Sequence, residues 1–377
     1  MVATFNFQYY TNPYQTEQLH YAFDNVIHQC IATYVTEVGK VIDTAETYQK
    51  AGYYVVIYLP YEAAKYYNAS FEVKAPENGI YAACYVYKQP IHIGEDITIN
   101  EKPSLDFTFT ESKGHIQNQI RRIHQEIIEG ETYQVNYTTR LEASQSTDIQ
   151  TLYKRLTSKM NGHYTAMIDT EALKIASISP ELFFQVGSFQ DGKRTIVSKP
   201  MKGTMPRGNN KEEDIQNESA LQTSRKDRAE NVMIVDLLRN DITRIASPGT
   251  IRVPRLFDVE RYPTVFQMTS MVTGEVASSV TLNDMLRALF PCGSITGAPK
   301  VNTMRIINEL ERAPRHIYCG ALGLCLPDGR AVFNVPIRTI QYMGQKAIYG
   351  VGAGITIDSD IEQEYAEFKD KTKILEG

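Results

Sequence analysis

The chain of 377 residues contains no tryptophan, no tandem repeat and no run of about 18 apolar residues, the length a helix needs to cross a bilayer. Its opening six residues carry neither a basic segment nor a long apolar one. A secretory leader is therefore not expected, and the protein is expected in the cytoplasm, away from any membrane. A basic excess is missing too: 39 Lys and Arg against 44 Asp and Glu give a net charge of -5, the wrong sign for a nucleic-acid partner. The five cysteines, Cys30, Cys84, Cys292, Cys319 and Cys325, are odd in number and lack CxxC spacing. That argues against a disulfide framework or a zinc site and for free thiols. Two nucleotide signatures also fail. Lys300 follows a proline and precedes Val301, unlike a P-loop lysine, and Gly350, Gly352 and Gly354 are followed by too little chain for a dinucleotide-binding unit.

What is present is a globular composition, 42% hydrophobic and 22% charged, long enough for one large domain or two ordinary ones. Residues 53–59 and 80–86, rich in aromatic and β-branched side chains, read as strands, whereas 115–128 repeats apolar residues at helical intervals and stops at Gly130. A polar stretch with two prolines, 89–112, joins an N-terminal part (1–105) to the remainder (106–377) without separating independent domains. Segments 164–168, 173–177, 182–186 and 195–197 are spaced too closely for helical crossovers. They are expected to form consecutive antiparallel strands in one meander, within a mixed α and β chain.

Lys202 stands out among residues able to do chemistry. It follows the strand at 195–198, in Pro200-Met201-Lys202-Gly203-Thr204-Met205-Pro206-Arg207-Gly208, where proline and two glycines predict a tight loop at a strand end. Most lysines are exposed solubilising groups, so the rest of the chain must make this one a nucleophile. Asp227 and Glu230 lie three apart on a predicted helix running through 239, and Glu364 and Glu367 repeat the spacing on a helix begun by Asp360 with Gln363 as its capping partner. Two such helices suit a hard dication such as magnesium. Either alone reads rather as surface acid paired with Lys369 or Lys371. Residues 291–300, with Ser294, lead into a helix over 301–311 whose N-terminus suits a carboxylate. Arg338 interrupts an apolar strand at 335–340, and a partly buried guanidinium needs an anionic partner.

In this order, over roughly residues 112–375, these segments resemble the chorismate-utilising enzymes, the family of the anthranilate, isochorismate, salicylate and aminodeoxychorismate synthases. The resemblance runs through Gly130-Glu131-Thr132-Tyr133-Gln134, Ser179-Pro180-Glu181, the Lys202 segment, Lys226-Asp227-Arg228-Ala229-Glu230-Asn231, Gly293-Ser294-Ile295-Thr296-Gly297-Ala298-Pro299-Lys300, Ile317-Tyr318-Cys319-Gly320 and the stretch from Gly350 to Glu367. It implies an α+β, anthranilate synthase component I-like fold of two packed antiparallel sheets with flanking helices, to which both parts of the chain contribute. It also implies Mg2+ held by Glu230 and Glu367, supported through water by Asp227 and Glu364, and gripping the ring carboxylate of chorismate. Arg338 and Tyr318, with backbone amides near Gly352 and Gly354, would hold the enolpyruvyl carboxylate. Ser294 and Thr204 would line the ring pocket beside Gly203, and Glu181 would protonate the departing C4 hydroxyl.

Gln134 takes the place of the lysine base found in members that add water, so the chain resembles the ammonia-using branch. Within it, Lys202 resembles the aminodeoxychorismate branch, where that amine forms a covalent adduct at C2 before ammonia attacks C4. An ordinary lysine is only roughly 0.04% neutral at pH 7, so the resemblance implies a pocket that lowers its pKa. Gln267 replaces the histidine that many members carry, which fits a product retaining its enolpyruvyl ether. No cysteine lies in a Gly-x-Cys-x-Gly elbow, so ammonia is expected from a separate glutamine amidotransferase subunit. No appended lyase domain is expected either.

Overall fold

The structure is a computed structural model that describes residues 2–92, 105–145, 147–159, 162–263 and 265–375. Half of the expected join at 89–112, residues 93–104, lies outside the described residues. The chain begins with β1 (Val2–Asn12), β2 (Gln15–Phe23), β3 (Val26–Ala32), α1 (Val38–Lys50), β4 (Tyr54–Leu59), α2 (Ala64–Tyr67) and β5 (Ala82–Tyr87). Next come β6 (Thr108–Phe109), α3 (Lys113–Ile128), β7 (Gln134–Ser144) and α4 (Ile149–Lys159). A strand-rich stretch follows: β8 (Tyr164–Asp169), β9 (Lys174–Ser179), β10 (Leu182–Phe189), β11 (Lys193–Lys199) and β12 (Met201–Pro206). Then α5 (Lys211–Thr223), α6 (Arg225–Thr243), β13 (Arg252–Arg261), β14 (Val265–Glu275), α7 (Leu282–Leu289), β15 (Gly297–Ala298) and α8 (Lys300–Leu310) lead to the final part. That part holds β16 (Ala321–Cys325), β17 (Ala331–Asn334), β18 (Thr339–Met343), β19 (Lys346–Ile355) and α9 (Ile361–Asp370).

Two antiparallel sheets form. One runs β15-β7-β19-β18-β9-β8-β1-β2 with β6 on β7, the other β12-β14-β11-β10-β17-β16-β4-β5-β3 with β13 on β14. Strands from 2–92 and from beyond 105 therefore share both sheets, as β1 on β8 and β4 on β16 show. Alternation explains their stacking. Ala3, Phe5, Phe7 and Tyr9 turn inward from β1 to meet Tyr58, Tyr85, Leu322 and Leu324 of the other sheet. Outside this sandwich, α3, α4, α8 and α9 cover the first sheet with one core, and α1, α6 and α7 cover the second with another.

The expected meander is not what forms. β8 and β9 pair in the first sheet and β10 and β11 in the second, so the chain changes sheet at Pro180-Glu181. Two residues between strands ordinarily make a hairpin. Here the longer-range partners decide: β18 takes β9 and β17 takes β10.

Candidate active site

The chain returns between sheets in the stretch from β17 to β18, and the two crossovers lie side by side. Val335 N–H donates to the Glu181 carbonyl at 3.0 Å, Ser179 Oγ to the Val335 carbonyl at 2.6 Å, and Ile178 N–H to the Arg338 carbonyl at 3.0 Å. Glu181 and Arg338 are thereby fixed by the same backbone junction. Arg338 does not interrupt a strand as expected. It sits in the crossover just before β18 with φ 51, a left-handed conformation that suits a turn better than an extended ladder. Its guanidinium, half-buried, makes no ion pair or hydrogen bond among the described residues.

Lys202 sits in a strand rather than in the expected loop. β13 occupies one edge of β14, and β11 and β12 lie end to end along the other, interrupted at Pro200, which has no N–H to give to a ladder. The register then slips: Met201 pairs with Thr269 but Thr204 with Gln267, so three steps on β12 face two on β14. This bulge carries Lys202 and Gly203. Gly203 has φ +84, and a β-carbon there would stand 2.8 Å from Asp227 Oδ1, so the strand backs directly onto α6. The Lys202 amine reaches across to β19. A β-carbon built on Gly354 would lie 3.1 Å from Lys202 Nζ and would collide with Gln134 Nε2.

The electrostatics of this interior are set by exclusion of water. Burial lowers the Lys202 pKa, with Lys371 adding to the effect, while Glu230, Glu181 and Glu367 oppose it. Burial likewise raises Glu181 to about 7, against the Ser294 hydrogen bond and the charges of Lys202 and Lys371. Ser294 Oγ donates to Glu181 Oε1 at 2.7 Å. Gln134 is fully buried, yet neither its Nε2 nor its Oε1 has a hydrogen-bond partner among the described residues. An amide left this way is costly unless a ligand completes it.

The carboxylates stand at the rim. α6 is capped by Ser224 and buries Asn231, Ile234, Val235, Leu238 and Ile242, with Asn231 Oδ1 accepting from Ser270 Oγ of β14 at 2.5 Å. That anchor leaves Glu230 partly buried at the site, its pKa raised by burial and by Asp227 and Glu367. α9 is capped by Asp360, which accepts from the Glu362 and Gln363 N–H groups. Its Phe368 is buried and its Ile361 and Tyr365 are partly so. Burial opposes ionisation of Glu367, but Lys371, Lys202 and Lys226 together outweigh it and hold the carboxyl low. Glu364 is buried and accepts from Ser359 Oγ at 2.6 Å. Among the described residues no three His, Cys, Asp or Glu side chains converge into a ready-made metal cage.

Against known proteins, residues 95–377 match the model of the chorismate-binding enzymes. The chain belongs to that family. Among its relatives, aminodeoxychorismate synthase component 1 of Salmonella typhimurium is 41% identical over 253 residues, 67% of this chain and 55% of that protein. Anthranilate synthase component 1 of Thermococcus kodakarensis is 38% identical over 256 residues, 68% of this chain and 58% of that protein. The chain thus spans a little over half the length of these curated relatives. Anthranilate synthase component I from Streptococcus pneumoniae has the same fold, with a TM-score of 0.77 at 22% identity over 100% of this chain and 90% of its own.

Several residues expected from the chorismate-binding family sit differently from the sequence reading. Ser294 and its neighbours do not serve the N-terminus of α8, which is capped by Pro299 without a side-chain bond; Ser294 serves Glu181. Thr204 is exposed, and its hydroxyl donates to Gln267 Oε1 at 2.9 Å. Gly352 and Gly354 lie within β19. Beyond Tyr349 that strand is paired with β7 alone, so every second amide of 350–354 lacks a ladder partner. The buried Tyr318 ring lies against Gly350 and lines a cavity of about 400 Å³ with Thr138, Arg140, Glu311 and Arg315. Lys202, Glu181 and Arg338 do not line that cavity. Lys371, which the sequence offers only as a surface partner of these acids, bonds Glu367 at 2.7 Å and the Gly352 carbonyl at 2.6 Å through its ammonium. Its spacing four after Glu367 is a signal that ordinary surface ion pairs share.

No helix among the described residues is long and apolar enough to cross a membrane.

Proposed function

We propose that the chain aminates chorismate at C4, giving 4-amino-4-deoxychorismate through a covalent adduct on Lys202. The observation that carries the reading is a partly buried amine whose pKa burial lowers, coupled to a buried carboxyl raised to about 7, beside an amide, Gln134, with no hydrogen-bond partner among the described residues. The productive pair is neutral lysine with protonated Glu181. Burial favours it over the equivalent ion pair because each charged form loses solvation.

Neutral Lys202 Nζ bonds to C2, both ring double bonds shift one position, and the C4 hydroxyl leaves as water with the Glu181 proton. Ammonia then bonds to C4, the double bonds return, and the lysine amine departs as it takes up a proton. The balance is chorismate plus ammonia giving product plus water. Arg338 and Tyr318, with the amides near Gly352 and Gly354, hold the enolpyruvyl carboxylate; a guanidinium without a protein partner is suited to that task. Gln134 completes its hydrogen bonds on the reactants.

Glu230 and Glu367 would hold Mg2+, with Asp227 and Glu364 behind them. The donor set fits, since Asp227 and Glu367 both raise the Glu230 pKa and a dication relieves that repulsion. When bound, the metal neutralises the ring carboxylate of the substrate. Ammonia comes from a separate glutamine amidotransferase subunit, and the five free thiols suit a reducing cytoplasm. The test is mass spectrometry of products from chorismate, Mg2+ and ammonium with wild type and Lys202→Ala. Aminodeoxychorismate from the wild type alone supports the reading; anthranilate and pyruvate would reassign the chain to the other amination.

A further inference from the structure

We infer that Gln267 is a positioning residue that sets the aim of Lys202 by locking the bulge on which the lysine stands. The inference rests on the reading of Lys202 as the nucleophile. Gln267 Nε2 donates to the Gly203 carbonyl at 2.8 Å, and its Oε1 accepts from Thr204 Oγ1 at 2.9 Å. One planar amide therefore grips two consecutive residues immediately after Lys202. Gly203, the first of them, has φ +84, at the point where the ladder slips by one residue.

A bulge built on glycine has little rigidity of its own, because glycine reaches more backbone conformations than any other residue. The space left by its missing β-carbon is filled from one side by Asp227. From the other side Gln267, itself nearly buried in β14, supplies the only side-chain hydrogen bonds among the described residues to Gly203 or Thr204. Were the amide lost, the peptide between 203 and 204 would be free to turn, and the Lys202 side chain would swing with it. The consequence falls on bond formation at C2 rather than on substrate capture, since the anion-holding groups lie on other elements. Glutamine is suited to this task because it offers a donor and an acceptor together and does not titrate.

The experiment compares wild type, Gln267→Met, Gln267→Glu and Gln267→His, with chorismate and Mg2+ but no ammonium. It reads the rate at which the Lys202 adduct appears by intact-protein mass spectrometry, then KM and kcat in parallel assays with ammonium added, together with the melting temperature. Methionine keeps the volume and removes both bonds. The expected result is adduct formation slowed about tenfold to a hundredfold, the scale of a reacting group misplaced by roughly 1 Å, with KM changed less than about twofold. Glutamate, which cannot donate to the Gly203 carbonyl, should be as slow. Histidine, whose neutral ring has one donor and one acceptor, should recover part of the rate. Wild-type adduct formation in Gln267→Met overturns the inference, as does a raised KM at unchanged kcat, which would make Gln267 a substrate contact. Aminated product from the wild type without any Lys202 adduct would overturn the covalent reading itself, and that outcome is separable because it appears before any variant is made.

Discussion

The interior of the site and its rim are built on different principles. Glu181, Ser294 and Gln134 are almost completely buried and come from a sheet crossover, a short turn and a strand, each tied into backbone hydrogen bonds. Glu230, Glu367 and Lys371 are helix-borne and more open, with the Glu367 and Lys371 side chains half-exposed at 50% and 41%. Inside, loss of water sets the protonation states, and no mobile ion can reset them. At the rim, charges answer one another, and a cation arriving from solvent can rearrange them. On the proposed reading, chemistry that needs a fixed pKa belongs to the crossover, the turn and the strands, and recognition of an anion through a metal to the helices.

The sharpest way to break that contrast is to remove an interior group. Lys202→Ala should abolish aminated product, and Glu181→Gln should reduce kcat by roughly 10²- to 10⁴-fold, the usual contribution of a positioned acid, as measured by steady-state product formation. Loss of less than tenfold in the second case would show that the C4 hydroxyl leaves without that proton. Glu181→Gln has a second, opposite effect. The folded pKa of about 7 lies above the ordinary 4.5, so the native state keeps a proton that the unfolded chain has released between those values. Stability of the wild type must then fall as pH rises from 4.5 to 7 and level off above, by on the order of 3 kcal/mol at 1.36 kcal/mol per pH unit. Glutamine has no such penalty. In metal-free denaturant titrations the variant should gain on wild type at pH 8 and match it near pH 4; equal offsets at both would refute the buried-acid account.

Rim substitutions should behave more mildly. Glu230→Gln is expected to raise the Mg2+ concentration needed for half-maximal activity more than Glu367→Gln. Glu230 is the less exposed and has no ammonium at bonding distance among the described residues, whereas Glu367 has Lys371 at 2.7 Å. Activity measured against Mg2+ decides this, and the reverse order would mean that the helices share the ion unequally in the other sense.

Much of this arrangement can be read from residues alone, and what cannot has a common cause. The α6 and α9 carboxylate pairs follow from spacing within one helix, and α3 from its apolar period and terminal glycine; these are local properties. The change of sheet at Pro180 is invisible locally, because β9 and β10 are separated as a hairpin would be and only their distant partners pull them apart. The Lys202 segment looks like a loop from its proline and glycines, yet β14, more than sixty residues later, draws it into a ladder with a bulge. Gln267 reads as a lost histidine until its two bonds to 203 and 204 are seen.

Lys371 tests the smallest part of the contrast. Its bond to Glu367 is half-exposed and spans one helical turn, and such pairs contribute under about 1 kcal/mol once solvent screens them. Lys371→Met should therefore shift the denaturation midpoint very little. Its charge, however, also lowers the Lys202 pKa. Without it that pKa rises, less of the amine is neutral at a given pH, and the rising limb of kcat against pH should move to higher pH. The displacement should be modest, because burial and not Lys371 is the larger cause. A pH profile that stays in place would mean that solvent at the rim screens Lys371 from the interior entirely, so that the two regions are electrically independent.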